Sequence, residues 1–229
     1  MTSLLLLGFL IGMRHALEAD HVAAVASLAT SSQTLQHAVK QGAVWGLGHT
    51  ITLFLFGSIV IWVDTVIPTT LAHTLEFIVG GMLVVLGMDV LRRVIRDKIH
   101  YHVHNHHDHK HFHAHSHSNE DDHSKSPHQH EHADRFPFRA LCVGLMHGMA
   151  GSAVLILLTI ETVKSPWQGM LYILLFGIGS ILGMAVLSVA IAIPLRSSAR
   201  GLTWAHNGLQ ASIGIFTVGL GCTIMYQLV

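Results

Sequence analysis

Several ionisable side chains lie inside long apolar stretches of this sequence, and five of them are candidate metal ligands. His15, Asp20 and His21 fall close together in the first stretch, and His49 and His147 each stand in a later one. Imidazole nitrogens combined with a carboxylate oxygen form a ligand set typical of a borderline divalent transition-metal ion. The residue types therefore predict a metal site built from all five.

The depth of these residues supports the same interpretation. At about 1.5 Å of rise per residue, His15 lies roughly 18 Å along a helix that starts at Ser3, and His49 and His147 lie roughly 12–14 Å along their own helices. His21 lies about 12 Å from the other end of the first helix. Ionisable groups at such depths in a membrane are costly and usually line a cavity or an ion path.

The spacing within the first stretch leaves two arrangements open. On an unbroken α-helix, Asp20 and His21 would point roughly 140° and 240° away from His15. Either the helix unwinds between Gly12 and Ala19, or the site takes some of these side chains together with others from different helices. Broken helices at transporter binding sites make the first arrangement reasonable.

The composition indicates the elements that must position these groups. The chain is 51% hydrophobic and 11% charged, whereas an ordinary soluble domain has about 25% charged residues. Several apolar stretches of about 20 residues match the length of a membrane-spanning helix. The sequence thus predicts an all-α polytopic membrane protein with six transmembrane helices, at 3–29, 41–63, 74–93, 138–162, 167–193 and 206–228.

The chain divides into two weakly similar halves around a central loop. The predicted units are a first three-helix repeat at 1–96, a loop at 97–137 and a second three-helix repeat at 138–229. Three helices is an odd number, so tandem halves enter the membrane in opposite senses and form inverted repeats. The alternative is that small residues recur in any helical bundle because they allow close helix contact. The matched glycine pairs are Gly12 with Gly144, Gly46 with Gly177, Gly80 with Gly214, and Gly87 with Gly221.

The central loop contains a tract in which 14 of the 33 residues from His100 to His132 are histidine. Its low apolar content predicts disorder in the absence of a ligand. Imidazole suits Zn, Cu, Fe and Ni, so the tract is expected to bind metal, Zn²⁺ among the candidates. The alternative is a polar, pH-responsive linker.

The distribution of basic residues predicts the orientation. With six spans, nearly all Lys and Arg residues outside the first span fall on the side that carries the central loop, and only Lys164 falls on the other. Basic residues flank the cytoplasmic ends of membrane helices. We therefore expect both termini outside and the His-rich loop in the cytoplasm, in a cell membrane of the bacterial inner-membrane type.

The remaining reactive side chains give less information about the function. Cys142 and Cys222 each stand alone, without the spacing of a redox pair or a thiolate site, which argues against a thiol oxidoreductase and a soft Cu(I) site. Asp89 is expected to pair with Arg92 or Arg93 one turn later. Glu18 either neutralises Arg14 or acts as an outer carboxylate of the metal site.

Three short motifs resemble those of the nickel/cobalt transporter (NiCoT) family. The segment from Arg14 through His15 and Asp20 to His21 resembles the family's H-x4-D-H signature, and Leu-Gly-His49-Thr resembles its second motif. The segment 144–153, which contains His147, is similar to the matching motif of the short UreH-type branch. A later Gly-x-Asp-Thr-type motif of longer relatives is not visible. The resemblance implies Ni²⁺ or Co²⁺ transport that requires the His, Asp and His of the signature.

The predicted function is a permease for divalent transition metals, Ni²⁺ or Co²⁺ being the cargo and uptake the expected direction. Efflux and metal delivery or sensing stay open, because related efflux proteins also carry His-rich loops. A remote alternative is a membrane acyltransferase, since His15 and Asp20 also fit an H-x4-D dyad. We expect no enzymatic activity and no resident cofactor. The expected partners are the metal ion, the lipid bilayer and a cytoplasmic metallochaperone, and no nucleic acid is expected.

Overall fold

The computed structural model describes residues 2–32, 34–63, 68–96, 100–106, 109–115, 137–150, 165–201 and 203–228. Within these ranges the chain is mainly helical. In order, the elements are α1 (Thr2–His15), α2 (Ala19–Ala29), α3 (Leu35–Val63), α4 (Thr69–Arg96), β1 (His100–His106), β2 (His109–His115), α5 (Phe138–Ala150), α6 (Pro166–Gly201) and α7 (Thr203–Gln227).

Four of the described helices are long and apolar enough to cross a membrane: α3, α4, and the greater part of α6 and α7. Large apolar side chains on them point outward, including Leu55, Val85, Val186 and Ile215. In water such a surface would promote aggregation, whereas lipid accepts it. The prediction of a helical membrane protein is therefore confirmed, and the spans predicted at 41–63, 74–93, 167–193 and 206–228 fall in these helices.

The first predicted span is broken in two. Backbone hydrogen bonds from Leu17 N to Arg14 O (2.9 Å) and from Glu18 N to His15 O (3.0 Å) form a turn that ends α1. Glu18 then has extended backbone angles (φ −64°, ψ 148°), and α2 begins at the next residue. Of the two arrangements that the sequence left open, the structure shows the helix unwound between Gly12 and Ala19.

The fourth predicted span, 138–162, is described only in its first part. Helix α5 covers Phe138–Ala150, and residues 151–162 lie outside the described residues. The arrangement of six helices as inverted repeats stays a prediction.

The two parts of the chain pack mainly against each other. Helix α3 contacts α5 and α6, α1 contacts α6, and α4 contacts α7. A buried apolar cluster containing Trp45, Leu83, Val143 and Met184 draws on both parts. Helices of the predicted unit 1–96 thus pack directly against helices of the predicted unit 138–229. The exact boundaries of the two units stay a prediction.

Glycines bring α4 and α7 together. A Cβ atom added to Gly221 would lie 2.5 Å from the carbonyl oxygen of Gly80, and one added to Gly87 would lie 2.7 Å from that of Gly214. Such close backbone approach is a common way for helices to associate in lipid, where the hydrophobic effect does not drive contact. The two helices therefore depend on the absence of side chains at these positions.

An ion-pair network joins the two parts at one end of the bundle. Asp89 Oδ2 lies 3.4 Å from Arg93 Nη2 and 2.8 Å from Arg139 Nη2 on α5. Arg93 also donates a hydrogen bond to Thr30 Oγ1, 3.1 Å away. The predicted pairing of Asp89 with Arg93 is confirmed, while Arg139, distant in sequence, is a partner that the one-turn rule could not indicate.

Part of the His-rich tract forms a hairpin, which differs from the disorder expected for the whole tract and from an all-α chain. Strands β1 and β2 pair antiparallel with His100 opposite His115, His102 opposite His113, His104 opposite His111 and His106 opposite His109. The alternation of histidine with other residues has the two-residue period of a strand, which accounts for the pairing. Residues 116–136 lie outside the described residues, and disorder there stays a prediction.

Replacing Gly221 by Ala should destabilise the protein by about 1–3 kcal/mol, because the new methyl group would force α4 and α7 apart. The matched control is Gly219→Ala on the same helix, since a Cβ atom at Gly219 would meet no atom within 4 Å. Thermal unfolding in detergent measures the difference. Equal melting temperatures for the two variants would show that the close approach contributes nothing to stability.

Candidate metal site

The helix break gathers the three residues of the first motif. His15 is the last residue of α1, and Asp20 and His21 lie in the first turn of α2. On a continuous helix the directions of His15 and His21 would be roughly 120° apart, but here their ring centroids are 4.3 Å apart. The three residues between the helices thus turn both imidazoles toward one point.

His49 and His147 reach the same point from α3 and α5. A Cβ atom added to Gly148 would lie 2.5 Å from the carbonyl oxygen of His49, so the two helices touch next to these histidines. The ring centroid of His21 is 5.3 Å from that of His49 and 4.2 Å from that of His147. The structure therefore brings together all five side chains that the sequence singles out.

The cluster contains two overlapping groups of three potential ligands. His15, His21 and His49 form one group, and Asp20, His21 and His147 form the other. Within each group, one ligand atom from every residue lies within 4.8 Å of the others. The exposed fractions of His21, His49 and His147 are 1% or less. The side chain of Asp20 is 29% exposed, so a cation held here would be shielded from bulk water except on the side of Asp20.

Two carboxylates hold the imidazole rings. Asp20 Oδ1 accepts hydrogen bonds from the backbone N and from Nδ1 of His21, both at 2.9 Å, and Asp20 Oδ2 accepts one from His147 Nε2 at 3.0 Å. Glu18 Oε1 accepts a hydrogen bond from His15 Nδ1 at 2.9 Å. Of the two roles considered for Glu18, the geometry favours the outer carboxylate, which orients a ligating histidine.

Several ring nitrogens in the cluster are buried without any hydrogen-bond partner among the described residues. They are His15 Nε2, His21 Nε2, His147 Nδ1 and both nitrogens of His49. A buried polar atom left unsatisfied costs about 1–3 kcal/mol, so four adjacent histidines in this condition need an explanation. A divalent cation bound by neutral imidazoles would satisfy them, and the nitrogen and oxygen donors without sulfur suit Ni²⁺, Co²⁺ or Zn²⁺.

Aromatic rings form the wall of the cluster. The ring of Trp45 lies 5.4 Å from that of His21 and 5.7 Å from that of His147, and Phe176 lies 5.2 Å from His15, centroid to centroid. Sequence reasoning missed both. Trp45 could have been found, because it precedes His49 by one turn and shares its helix face, whereas Phe176 comes from α6 through tertiary packing alone.

A comparison with known proteins supports the motif assignment. Over 227 residues the chain is 36% identical to the urease accessory protein UreH of Bacillus sp. (strain TB-90), and the match covers 99% of this chain and 92% of that protein. The chain belongs to the UreH-type branch of the nickel/cobalt transporter family. No family profile matches the sequence, and no solved structure matches it.

The three motifs of this UreH-type chain meet at the cluster, and their other residues serve the packing around it. In the second motif, Thr50 Oγ1 donates a hydrogen bond to the carbonyl oxygen of Gly177 at 3.1 Å. Gly48 lets α3 approach α5, since a Cβ atom there would lie 2.6 Å from Leu141 O. Residues 151–153 of the third motif lie outside the described residues.

Nickel should stabilise this UreH-type protein against thermal unfolding, because a ligand bound only by the folded state raises the melting temperature. His49→Ala removes two unsatisfied nitrogens and should reduce the nickel-induced rise to less than about half. His206→Ala is the control, because His206 is buried outside the cluster and its ring contacts Ser198 and Gln210.

The comparison uses the nickel-induced shift of each variant rather than its absolute melting temperature. The histidines of the tract are present in both variants, so any nickel that they bind affects the two shifts in melting temperature equally. If nickel raised the melting temperature of His49→Ala as much as that of the wild type, His49 would not be a ligand of the metal site.

Proposed function

We propose that this protein is a permease that carries Ni²⁺ or Co²⁺ across the membrane through the buried cluster. The observation that carries the proposal is the set of four buried histidines with unsatisfied ring nitrogens at a break in a membrane helix. Ionisable groups and helix breaks at such depth mark ion paths in membrane proteins. His15, Asp20, His21, His49 and His147 are the proposed ligands.

The two overlapping ligand groups suggest how an ion moves. Both groups contain His21, whose Nδ1 atom is already hydrogen-bonded to Asp20. Only Nε2 of His21 is available to a metal, so one ion would pass between the groups rather than two ions occupying them together. Exchange of one ligand at a time keeps the ion partly coordinated, which lowers the cost of stripping its water.

Inverted repeats are the proposed architecture, and paired contacts support them. Gly48 lies against Leu141, and Gly179 lies against Phe9. In the predicted repeat, Gly179 is the counterpart of Gly48, and Leu141 is the counterpart of Phe9. Replacing each residue of the first contact by its counterpart in the other half therefore gives the second contact. The pairs Gly80–Gly221 and Gly87–Gly214 follow the same rule, as expected for two halves related by a two-fold axis in the membrane plane.

The repeat leaves the site asymmetric. His147 occupies the matched position of His15, but the counterpart of His49 is Ser180, whose hydroxyl donates a hydrogen bond to Gly12 O at 3.1 Å. The first half therefore supplies four of the proposed ligands and the second half one. A site at the interface between unequal halves fits a transporter whose halves move against each other.

Orientation and direction also belong to the proposal. We propose that both termini lie outside and that the end of the bundle carrying Arg93 and Arg139 faces the cytoplasm, because basic residues favour that side. The cavity that reaches the cluster is lined at the opposite end by Glu76 and Gln227. A site accessible from outside supports uptake over efflux.

The relative's name supplies a physiological setting. UreH of Bacillus sp. is named a urease accessory protein, and we propose that this chain likewise delivers its metal toward metalloenzyme assembly, with a cytoplasmic metallochaperone as recipient. The His-rich tract would buffer metal, Zn²⁺ included, on that side of the membrane. Metal sensing or delivery without transport is the second candidate, and it assigns the essential role to the tract.

The acyltransferase alternative receives no support from the geometry. In an H-x4-D dyad the aspartate would orient His15, but Asp20 accepts from His21 and His147, and His15 is bonded to Glu18. The metal-site interpretation accounts for these contacts, since each carboxylate orients rings whose other nitrogens are unsatisfied.

Replacing His21 by Ala should reduce accumulation of labelled nickel and cobalt by at least about 100-fold, since both ligand groups lose a member; even second-shell changes cost about 10–100-fold in affinity or activity. The measurement is uptake into cells, with the variant's amount in the membrane matched to the wild type. His73→Ala, at an exposed position near the start of α4, is the control. Normal accumulation by His21→Ala would disprove the proposed function.

Deleting residues 100–132 separates transport from sensing. If the tract is a buffer, the deletion should leave the initial rate of nickel entry unchanged within about twofold, because the buried ligands are intact. Initial rates in whole cells measure this, with expression matched by immunoblot. Loss of entry would instead make the tract part of the transport path.

A further inference from the structure

A cavity of about 730 Å³ connects the metal cluster to one end of the bundle. Its deep end is formed by His15, Asp20 and His147, and its outer end by Glu76 on α4 together with Gln227 and Leu228 at the end of α7. His21 and His49 do not line it. The cavity thus reaches only three of the five proposed ligands, and the other two lie farther from it.

We propose that this cavity is the entry vestibule for the metal cation and that Glu76 is the carboxylate that attracts cations at its mouth. The inference rests on the proposed transport function and adds a residue that no motif contains. It also gives the order of contact: a hydrated divalent cation passes Glu76, meets Asp20 and His147, and then reaches His21 and His49.

The charges in the cavity favour cations. Three carboxylates line it, those of Glu18, Asp20 and Glu76, against one guanidinium, that of Arg14. Much of the remaining lining is apolar, including Val79 and Ile224. A cleft of one predominant charge with low-dielectric walls focuses the electric field and raises the local concentration of the oppositely charged ion.

Two further observations point to a ligand rather than to a solvated acidic surface. His15 Nε2 and His147 Nδ1 belong to residues lining the cavity, and both atoms are buried without a hydrogen-bond partner among the described residues. Over those same residues, Glu76 itself makes no hydrogen bond or ion pair, and its side chain is only partly exposed. Its charge is therefore not neutralised by a described cation and is available to the cavity.

The position of Glu76 is fixed by helix packing. It lies one turn before Gly80, whose backbone closely approaches Gly221 on α7. Gln227 follows Gly221 on the same helix and lines the same cavity. A carboxylate introduced at Gln227 would consequently enter the vestibule from the facing helix, which provides a rescue test.

The test is nickel uptake by the full-length chain as a function of nickel concentration. Glu76→Gln should raise the half-saturating concentration about fivefold at low ionic strength, the effect of removing one charge roughly 10 Å from a divalent ion in a mostly aqueous path. The maximal rate should be retained, because the cluster is intact. Raising the salt concentration should shrink the difference, since the Debye length falls to about 8 Å at 0.15 M.

The rescue variant combines Glu76→Gln with Gln227→Glu and should return the half-saturating concentration toward the wild-type value. A purely structural role for Glu76 would not be rescued by a charge on another helix, nor would it depend on salt. An unchanged half-saturating concentration in Glu76→Gln, with wild-type uptake intact and His21→Ala inactive, would overturn the vestibule while leaving the transport function standing. Absence of nickel uptake by the wild type would overturn both.

Discussion

The structure depends on the cost of burying polar groups inside a bundle whose outer surface is apolar. Four imidazoles and a carboxylate meet at the junction of α1, α2, α3 and α5, and several of their ring nitrogens have no partner among the described residues. One nitrogen in each of three rings donates a hydrogen bond to Asp20 or Glu18, which leaves the other nitrogen of each ring without a partner among the described residues. The unsatisfied nitrogens reduce stability without a ligand, and a bound cation would remove that cost. The same carboxylates prevent the rings from turning away to find other partners.

Several features of the described helices position that junction. The turn at Ala16 to Glu18 is needed because a continuous helix would separate His15 from His21. Glycines at the crossings let backbones touch, and at Gly148 this contact sets the approach of His49 to His147. The aromatic ring of Trp45 covers the cluster. At one end of the bundle the Asp89–Arg139 ion pair joins α4 to α5, while at the other end the cavity gives access. The cavity is the access that the proposed transport function requires for an ion arriving from that end.

Much of this could be predicted from the sequence, because in a membrane protein the positions of ionisable residues are strongly constrained. The five clustered side chains and the long apolar helices follow from residue type, depth and helical periodicity. The helix break is one of the two arrangements that the spacing of His15, Asp20 and His21 leaves open. Contacts between residues distant in sequence could not be predicted in the same way. Arg139 as a partner of Asp89 and Phe176 beside His15 arise only when α5 and α6 pack on the first half. The low apolar content of the His-rich tract predicts disorder and gives no sign of the hairpin, whereas the strand-like alternation of His100 to His106 favours it.

Metal flux into sealed vesicles containing only the purified protein tests the central claim most directly. With a metal-sensitive dye trapped inside, external Ni²⁺ and Co²⁺ should each enter and compete with one another, because both suit nitrogen and oxygen ligands. Mg²⁺ and Ca²⁺ should neither enter nor compete, because they prefer ligand sets made of oxygen. Vesicles with the protein in known orientation that remain impermeable to nickel and cobalt, or that admit all four ions equally, would contradict this account of the buried cluster.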